Sequence, residues 1–126
     1  FIIIVNDNDM SIAENHGGLY QNLALLRKTD GQAECNLFKA MGLDYVYVDR
    51  GNDVAALIKA FKEVKDSTKP VVVHINTLKG KGYAPAEKCK EQWHYSGPFD
   101  IETGKPLFNN VEEDYSSVTC EYLLER

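Results

Sequence analysis

A chain of 126 residues, 44 % hydrophobic and 26 % charged, has the size and make-up of one globular domain with a modest core. It contains no run of about 18 apolar residues that could form a membrane span. Its net charge of −5 argues against nucleic acid or an anionic membrane as partner, because phosphate backbones need concentrated cationic patches. The three cysteines, Cys35, Cys89 and Cys120, are far apart and form no Cys-x-x-Cys pair. They fit reduced thiols in a cytoplasmic protein better than a disulfide framework or a zinc site.

Phe1 to Val5 is β-branched and apolar and predicts a parallel strand buried on both faces. It runs directly into Asn6-Asp7-Asn8-Asp9, a burst of oxygen-bearing side chains at the carboxyl edge where α/β sheets hold ligands. No polar residues precede this strand, which reads as a segment cut from a longer protein. Leucines and Tyr20 at helical spacing predict a helix over 19–28 that stops at Thr29-Asp30-Gly31, and a second short helix is expected over 31–41. Tyr45 to Val48 is a strand, Asp49 to Asp53 a turn, and Asp53 caps a helix with Val54, Leu57, Ile58, Phe61 and Val64 on one face. Val71 to Asn76 is a third strand. The alternation predicts an α/β fold, a doubly wound parallel sheet with helices on both faces. Residues 78–113 read as one long irregular segment holding three of the four prolines, and 115–126 as a helix capped by Ser116 or Ser117.

Three constellations carry potential chemistry. The Asn6–Asp9 cluster is not a calcium loop, because an EF-hand begun at Asp7 would need Gly where Ile12 stands and Glu where Gly18 stands. A structural turn and a magnesium–diphosphate site both remain open; a neutral Asn carboxamide suits the latter, since the phosphates supply most of the negative charge. Lys79-Gly80-Lys81-Gly82-Tyr83 leaves the third strand at the same edge, combining glycines that permit close backbone approach with an aromatic hydroxyl. It has neither Rossmann nor P-loop spacing. Trp93-His94, followed by Pro98-Phe99-Asp100, places a histidine on a loop, as a proton carrier or simply a solvated side chain. His74 alternates within a strand and reads as packed, whereas His16 could touch a ligand or cap the next helix.

Taken together, the segments from Asn6 to Asn15, from Lys79 to Lys88 and around Trp93-His94 and Pro98-Phe99-Asp100 closely resemble the 1-deoxy-D-xylulose-5-phosphate synthases, transketolase-like enzymes that use thiamine diphosphate. The resemblance covers almost the whole chain. It implies that residues 1–113 are the later part of a diphosphate-binding domain and that 114–126 open a pyrimidine-binding domain. It further implies magnesium bound by the Asn8 side chain and the Met10 backbone oxygen, with Asn8 also meeting the diphosphate. Tyr83 is then a cofactor contact, Lys81 an electrostatic support, and His94 a catalytic group that hydrogen-bonds substrate or intermediate oxygens.

The chemistry implied is a thiazolium carbanion that attacks a ketoacid or ketose and passes a two-carbon unit to an aldehyde. In the synthases, pyruvate is decarboxylated and joined to glyceraldehyde 3-phosphate. A transketolase acting on sugar phosphates, or a catalytically silent module of the same fold, is the alternative. A homodimeric, cytoplasmic parent with small-molecule substrates, acting in isoprenoid biosynthesis, also follows from the resemblance. The chain departs from the family in several places. The Gly-Asp-Gly that supplies a second magnesium ligand and the glutamate that activates the cofactor are absent. Asp49-Arg50-Gly51-Asn52-Asp53 replaces Asp-Gly-His-Asp, and the stretch before Leu37 is short. The isolated chain is therefore expected to be inactive.

Overall fold

The computed structural model describes residues 1–108 and 114–125, which fall into two compact units, Phe1–His94 and Tyr95–Arg126. In the first unit, β1 (Ile2–Asp7), β2 (Asp44–Val48) and β3 (Val71–Asn76) form a parallel sheet in the order β1-β3-β2. Register pairs Asp7 with Asn76 and Val48 with Ile75, so all three carboxyl ends lie along one rim.

The last strand in sequence lies in the middle, and its side chains divide the core. Val71, Val73 and Ile75 point to one face, where Val48 joins them beneath Ala60 and Val64 of α3 (Val54–Val64). Val72 points to the other face, against Leu23 and Leu26 of α1 (Gly18–Lys28) and Phe38 of α2 (Leu37–Ala40). Helices on both faces make the sheet doubly wound, as the sequence pattern predicts. Helix α3 starts where expected: the Asp53 carboxylate accepts from the Ala55 and Ala56 amides at 2.8 and 3.3 Å, satisfying donors that the first helical turn cannot.

Four expectations need correction. Strand β1 is not buried on both faces. Among the described residues it sits at the sheet edge, paired with β3, with Ile2, Ile3 and Ile4 at 42, 41 and 55 % exposure. The second helix is only Leu37–Ala40. The Gly31 amide turns back to the Leu26 carbonyl at 2.7 Å, and Asn36 caps a new helix by accepting from the Phe38 and Lys39 amides. The segment after Leu78 is not wholly irregular, since it contains α4 (Ala84–Lys88) and a single 3₁₀ turn (Gln92–His94); residues 109–113 of that expectation lie outside the described residues.

In the second unit, an isolated bridge joins Phe99 to Pro106 around a turn in which Asp100 accepts from the Thr103 amide and hydroxyl. The cap of α5 (Tyr115–Leu124) is Asp114 rather than a serine, and Ser117 returns a hydroxyl to the Asp114 amide in a capping box.

Leu26 is fully buried between α1 and the sheet. Leu26→Ala should lower the unfolding free energy by about 2–5 kcal/mol, read as a lower urea midpoint at unchanged slope.

Candidate functional site

The rim is organised from beneath by one buried carboxylate. Asp7 ends β1 at 6 % exposure, and both its oxygens are bonded. Oδ1 accepts from the Asp9 amide at 3.0 Å, while Oδ2 meets His74 Nε2 at 2.9 Å and Arg27 Nη1 at 2.5 Å. His74, fully buried in β3, has its other ring nitrogen 2.7 Å from the Tyr45 hydroxyl. This arrangement assigns a neutral ring in which Nε2–H donates to Asp7 and Nδ1 accepts from Tyr45. The chain β2–β3–β1–α1 is thus tied together by Tyr45, His74, Asp7 and Arg27. Burial lowers the His74 pKa despite the opposing pull of Asp7. Burial alone would raise Asp7, but hydrogen bonds from His74 and Arg27 outweigh it and hold the carboxyl below its usual value.

Above this network the chain makes two successive side-chain-closed turns. The Asp9 amide is taken by Asp7 and the Met10 amide by Asn8 Oδ1 at 3.1 Å, with Asp9 in the left-handed region at φ 62. Arg27 reaches over to Asp9 as well as Asp7.

The exit of β3 is stapled to its neighbours on both sides. The Thr77 hydroxyl donates to Asn6 Oδ1 at 2.7 Å and its amide to the Asp7 carbonyl at 2.9 Å. On the other side the Leu78 amide donates to Asn52 Oδ1 at 2.7 Å, and the Gly51 amide to the Asn76 carbonyl at 2.8 Å. A Cβ on Gly51 would lie 2.3 Å from Ile75 Cγ2 and 2.4 Å from the Asn76 carbonyl oxygen, so this approach admits only glycine. The Lys79–Gly82 bend has a similar need: Gly80 sits at φ 79, and a Cβ there would meet Ala86 at 2.7 Å. Lys79 spans the site, its ammonium donating to the Ser11 carbonyl at 2.6 Å and lying 3.2 Å from His94 Nδ1.

Asn8 and Lys81 line one open cleft of about 930 Å³ at the rim, together with Lys28, Lys90, Asn76 and Thr77. Met10 lines a second cleft with Lys88 to Gln92, of about 850 Å³. Tyr83 caps α4 and packs edge-on against Trp93 at 5.1 Å between ring centroids. His94 is exposed and is held by Lys79. His74 is packed as expected, and His16 supplies no cap, because the residue at the cap of α1 is Gly17 and no side chain bonds there. Sequence reasoning passed over Arg27, Asn52 and Lys79. Lys79 stood inside the glycine motif, but nothing in one dimension tells which of two lysines turns back to the first strand's loop.

A family model described as 1-deoxy-D-xylulose-5-phosphate synthase matches residues 29–77. The synthase of Campylobacter hominis is 39 % identical over 155 residues, covering 98 % of this chain and 25 % of that protein. This chain is a relative of the 1-deoxy-D-xylulose-5-phosphate synthases. The synthase of Listeria monocytogenes serotype 4b is 39 % identical over 110 residues (82 % of this chain, 18 % of that protein), and that of Nitratiruptor sp. 33 % over 156 (98 % and 26 %). The chain spans about a quarter of the length of the synthase from Campylobacter. Its 126 residues align with a span of 155, so that synthase carries residues this chain lacks. Among the described residues no helix is long and apolar enough to cross a membrane.

The turn presents neutral oxygens: the second lone pair on Asn8 Oδ1 and the backbone carbonyls beside it. Among the described residues no group of three or more His, Cys, Asp or Glu is placed to hold a metal ion.

The unfolded His74 takes a proton near pH 6.5, whereas the folded ring resists it. Stability is therefore complete above that pH and should fall as the pH drops through the lowered folded value. The Asp7 contribution, present above about pH 3.8, should be lost on further acidification through its own lowered value. Urea midpoints measured against pH should show the upper part of this decline in the parent chain, and His74→Gln should flatten it.

Proposed function

We propose that this chain supplies the magnesium–diphosphate side of a thiamine-diphosphate site in a transferase that decarboxylates pyruvate and joins the two-carbon unit to glyceraldehyde 3-phosphate. One observation carries the reading. In a chain of net charge −5, the cleft beside Asn8 gathers Lys28, Lys81 and Lys90, while two further cations there, Arg27 and Arg50, are already paired with Asp9 and Asp53. Ammonium groups that form no ion pair among the described residues, outnumbering the one carboxylate there that is likewise unpaired, Asp49, suit a chelated diphosphate whose charge they balance.

In this reading Asn8 and the Met10 carbonyl would hold Mg²⁺, and Lys81 would neutralise phosphate oxygens. Tyr83, braced by Trp93, would contact the cofactor. The cofactor, when bound, supplies the nucleophilic carbon and the electron sink that loss of CO₂ from a 2-oxoacid requires. Lys79 donates its proton to His94 Nδ1, which leaves Nε2–H as the donor that His94 offers to a substrate oxygen. The backbone carbonyl of Ser11, bonded to the same ammonium, fixes that lysine relative to the cation turn.

Residues 114–126 would begin the pyrimidine-binding domain. The parent protein would be a cytoplasmic homodimer acting on small molecules in isoprenoid biosynthesis. The chain by itself would be without turnover, because the segment contains no Gly-Asp-Gly to complete the cation's ligands.

The test is ¹⁴CO₂ release from labelled pyruvate in the protein that carries this segment. Turnover should depend on glyceraldehyde 3-phosphate and Mg²⁺, and Asn8→Ala should weaken Mg²⁺-supported cofactor binding by tenfold or more. Ketose donors replacing pyruvate would instead establish a transketolase, and tight cofactor binding with turnover by the isolated chain would contradict its assignment as one half of a site. Separately, Lys79→Met should release His94 into a mixture of tautomers, visible in its ¹⁵N ring shifts, while leaving the fold intact.

A further inference from the structure

The cation turn carries two carboxylates, Asp7 and Asp9, flanking the one side chain assigned to the metal, and a single guanidinium holds both. Arg27 projects from the last turn of α1, its side chain 15 % exposed, and bonds Asp7 Oδ2 through Nη1 and Asp9 Oδ1 through Nη2. Asp7 is buried and both its oxygens are bonded, Oδ1 by the Asp9 amide and Oδ2 by Arg27 and His74. Asp9 differs in kind. It is 67 % exposed and held by nothing but Arg27 among the ion pairs of the described residues, at a left-handed backbone position that turns it toward the helix.

A hard divalent cation prefers carboxylate oxygens to a carboxamide and would take Asp9, and then Asp7, if they were available. Arg27 takes one oxygen of each, offsets their charge and adds its own positive charge beside the turn, which repels a bare cation.

We infer that Arg27 is a specificity-determining positioning residue: it engages one oxygen of each flanking carboxylate and balances their charge, so that the Asn8–Met10 turn rejects a free divalent cation and admits one only when a diphosphate brings it. This rests on the cofactor reading above but concerns an interaction that can be measured without cofactor. The guanidinium fork suits the task, because it reaches two carboxylates on residues two apart from one fixed plane. In its absence the turn would hold two uncompensated negative charges and behave as a simple cation site.

The experiment is an electron paramagnetic resonance titration with Mn²⁺ of the whole protein that carries this segment, with and without thiamine diphosphate. Without diphosphate, the parent chain should bind Mn²⁺ weakly. Arg27→Met should raise the affinity for free Mn²⁺ by about tenfold or more, as expected for the loss of a unit positive charge next to the ion. Arg27→Lys, which keeps the charge but not the fork, should restore rejection only in part, and adding Asp9→Asn to Arg27→Met should abolish the gain, neither of which a purely structural role would produce. A folded Arg27→Met chain whose free Mn²⁺ affinity stays within twofold of the parent overturns the inference.

If Arg27→Met does not fold, the parent chain still decides. Its Arg27 Nη–H resonances should be unmoved by millimolar Mg²⁺ alone, and their displacement or broadening by Mg²⁺ overturns the inference. The two readings fail separately. Thiamine diphosphate that leaves parent Mn²⁺ binding unchanged counts against the cofactor assignment, whereas the comparison made without it judges Arg27.

Discussion

The rest of the rim depends on the burial of the Asp7 carboxylate between two cationic or proton-donating partners from different elements. A carboxylate at 6 % exposure is tolerable only if its lone pairs are occupied. Here the occupants are an imidazole from the central strand, a guanidinium from α1 and a backbone amide from the following turn. Removing any one of them would strand charge in the interior, and that penalty fixes the geometry more firmly than the apolar packing around it. The turn that follows starts from this anchor, since the Asp9 amide is bonded to Asp7 Oδ1.

The apolar framework does the coarser work. Val71, Val73 and Ile75 bury one face and Val72 the other, so a single strand in the middle of the sheet binds both helical layers. Position in the sheet, not composition, decides which apolar strand is buried. The isoleucines of β1 are as apolar as the valines of β3 yet remain half open to solvent, because β1 is paired along one edge.

Much of this was legible in one dimension. Strand and helix periods, the Asp53 cap and the Thr29-Asp30-Gly31 stop are local, and local patterns report local structure. The motif around Asn8 and the glycine bend at Gly80 and Gly82 also stood out, because each needs unusual backbone chemistry. What stayed hidden was pairing across distance. Arg27 is one more basic residue in a helix until α1 is laid against β1, and Lys79 looks equivalent to Lys81 until one of them is seen on Ser11 and His94. The burial of β1 was misjudged for the same reason, since an apolar run states a preference and not the number of its neighbours. The second helix was overestimated because Ala33, Leu37 and Ala40 keep helical spacing across a break that the Asn36 cap imposes.

The contact between Gly51 and the end of β3 has a mechanical corollary. With the Gly51 amide on the Asn76 carbonyl and the Leu78 amide on the Asn52 side chain, the loop leading into α3 and the outgoing loop of β3 are riveted at two points less than 3 Å long. Neither has slack to yield alone, so a guest molecule that tugs on the lysine–glycine bend would be felt at the start of α3, on the opposite layer of the sheet.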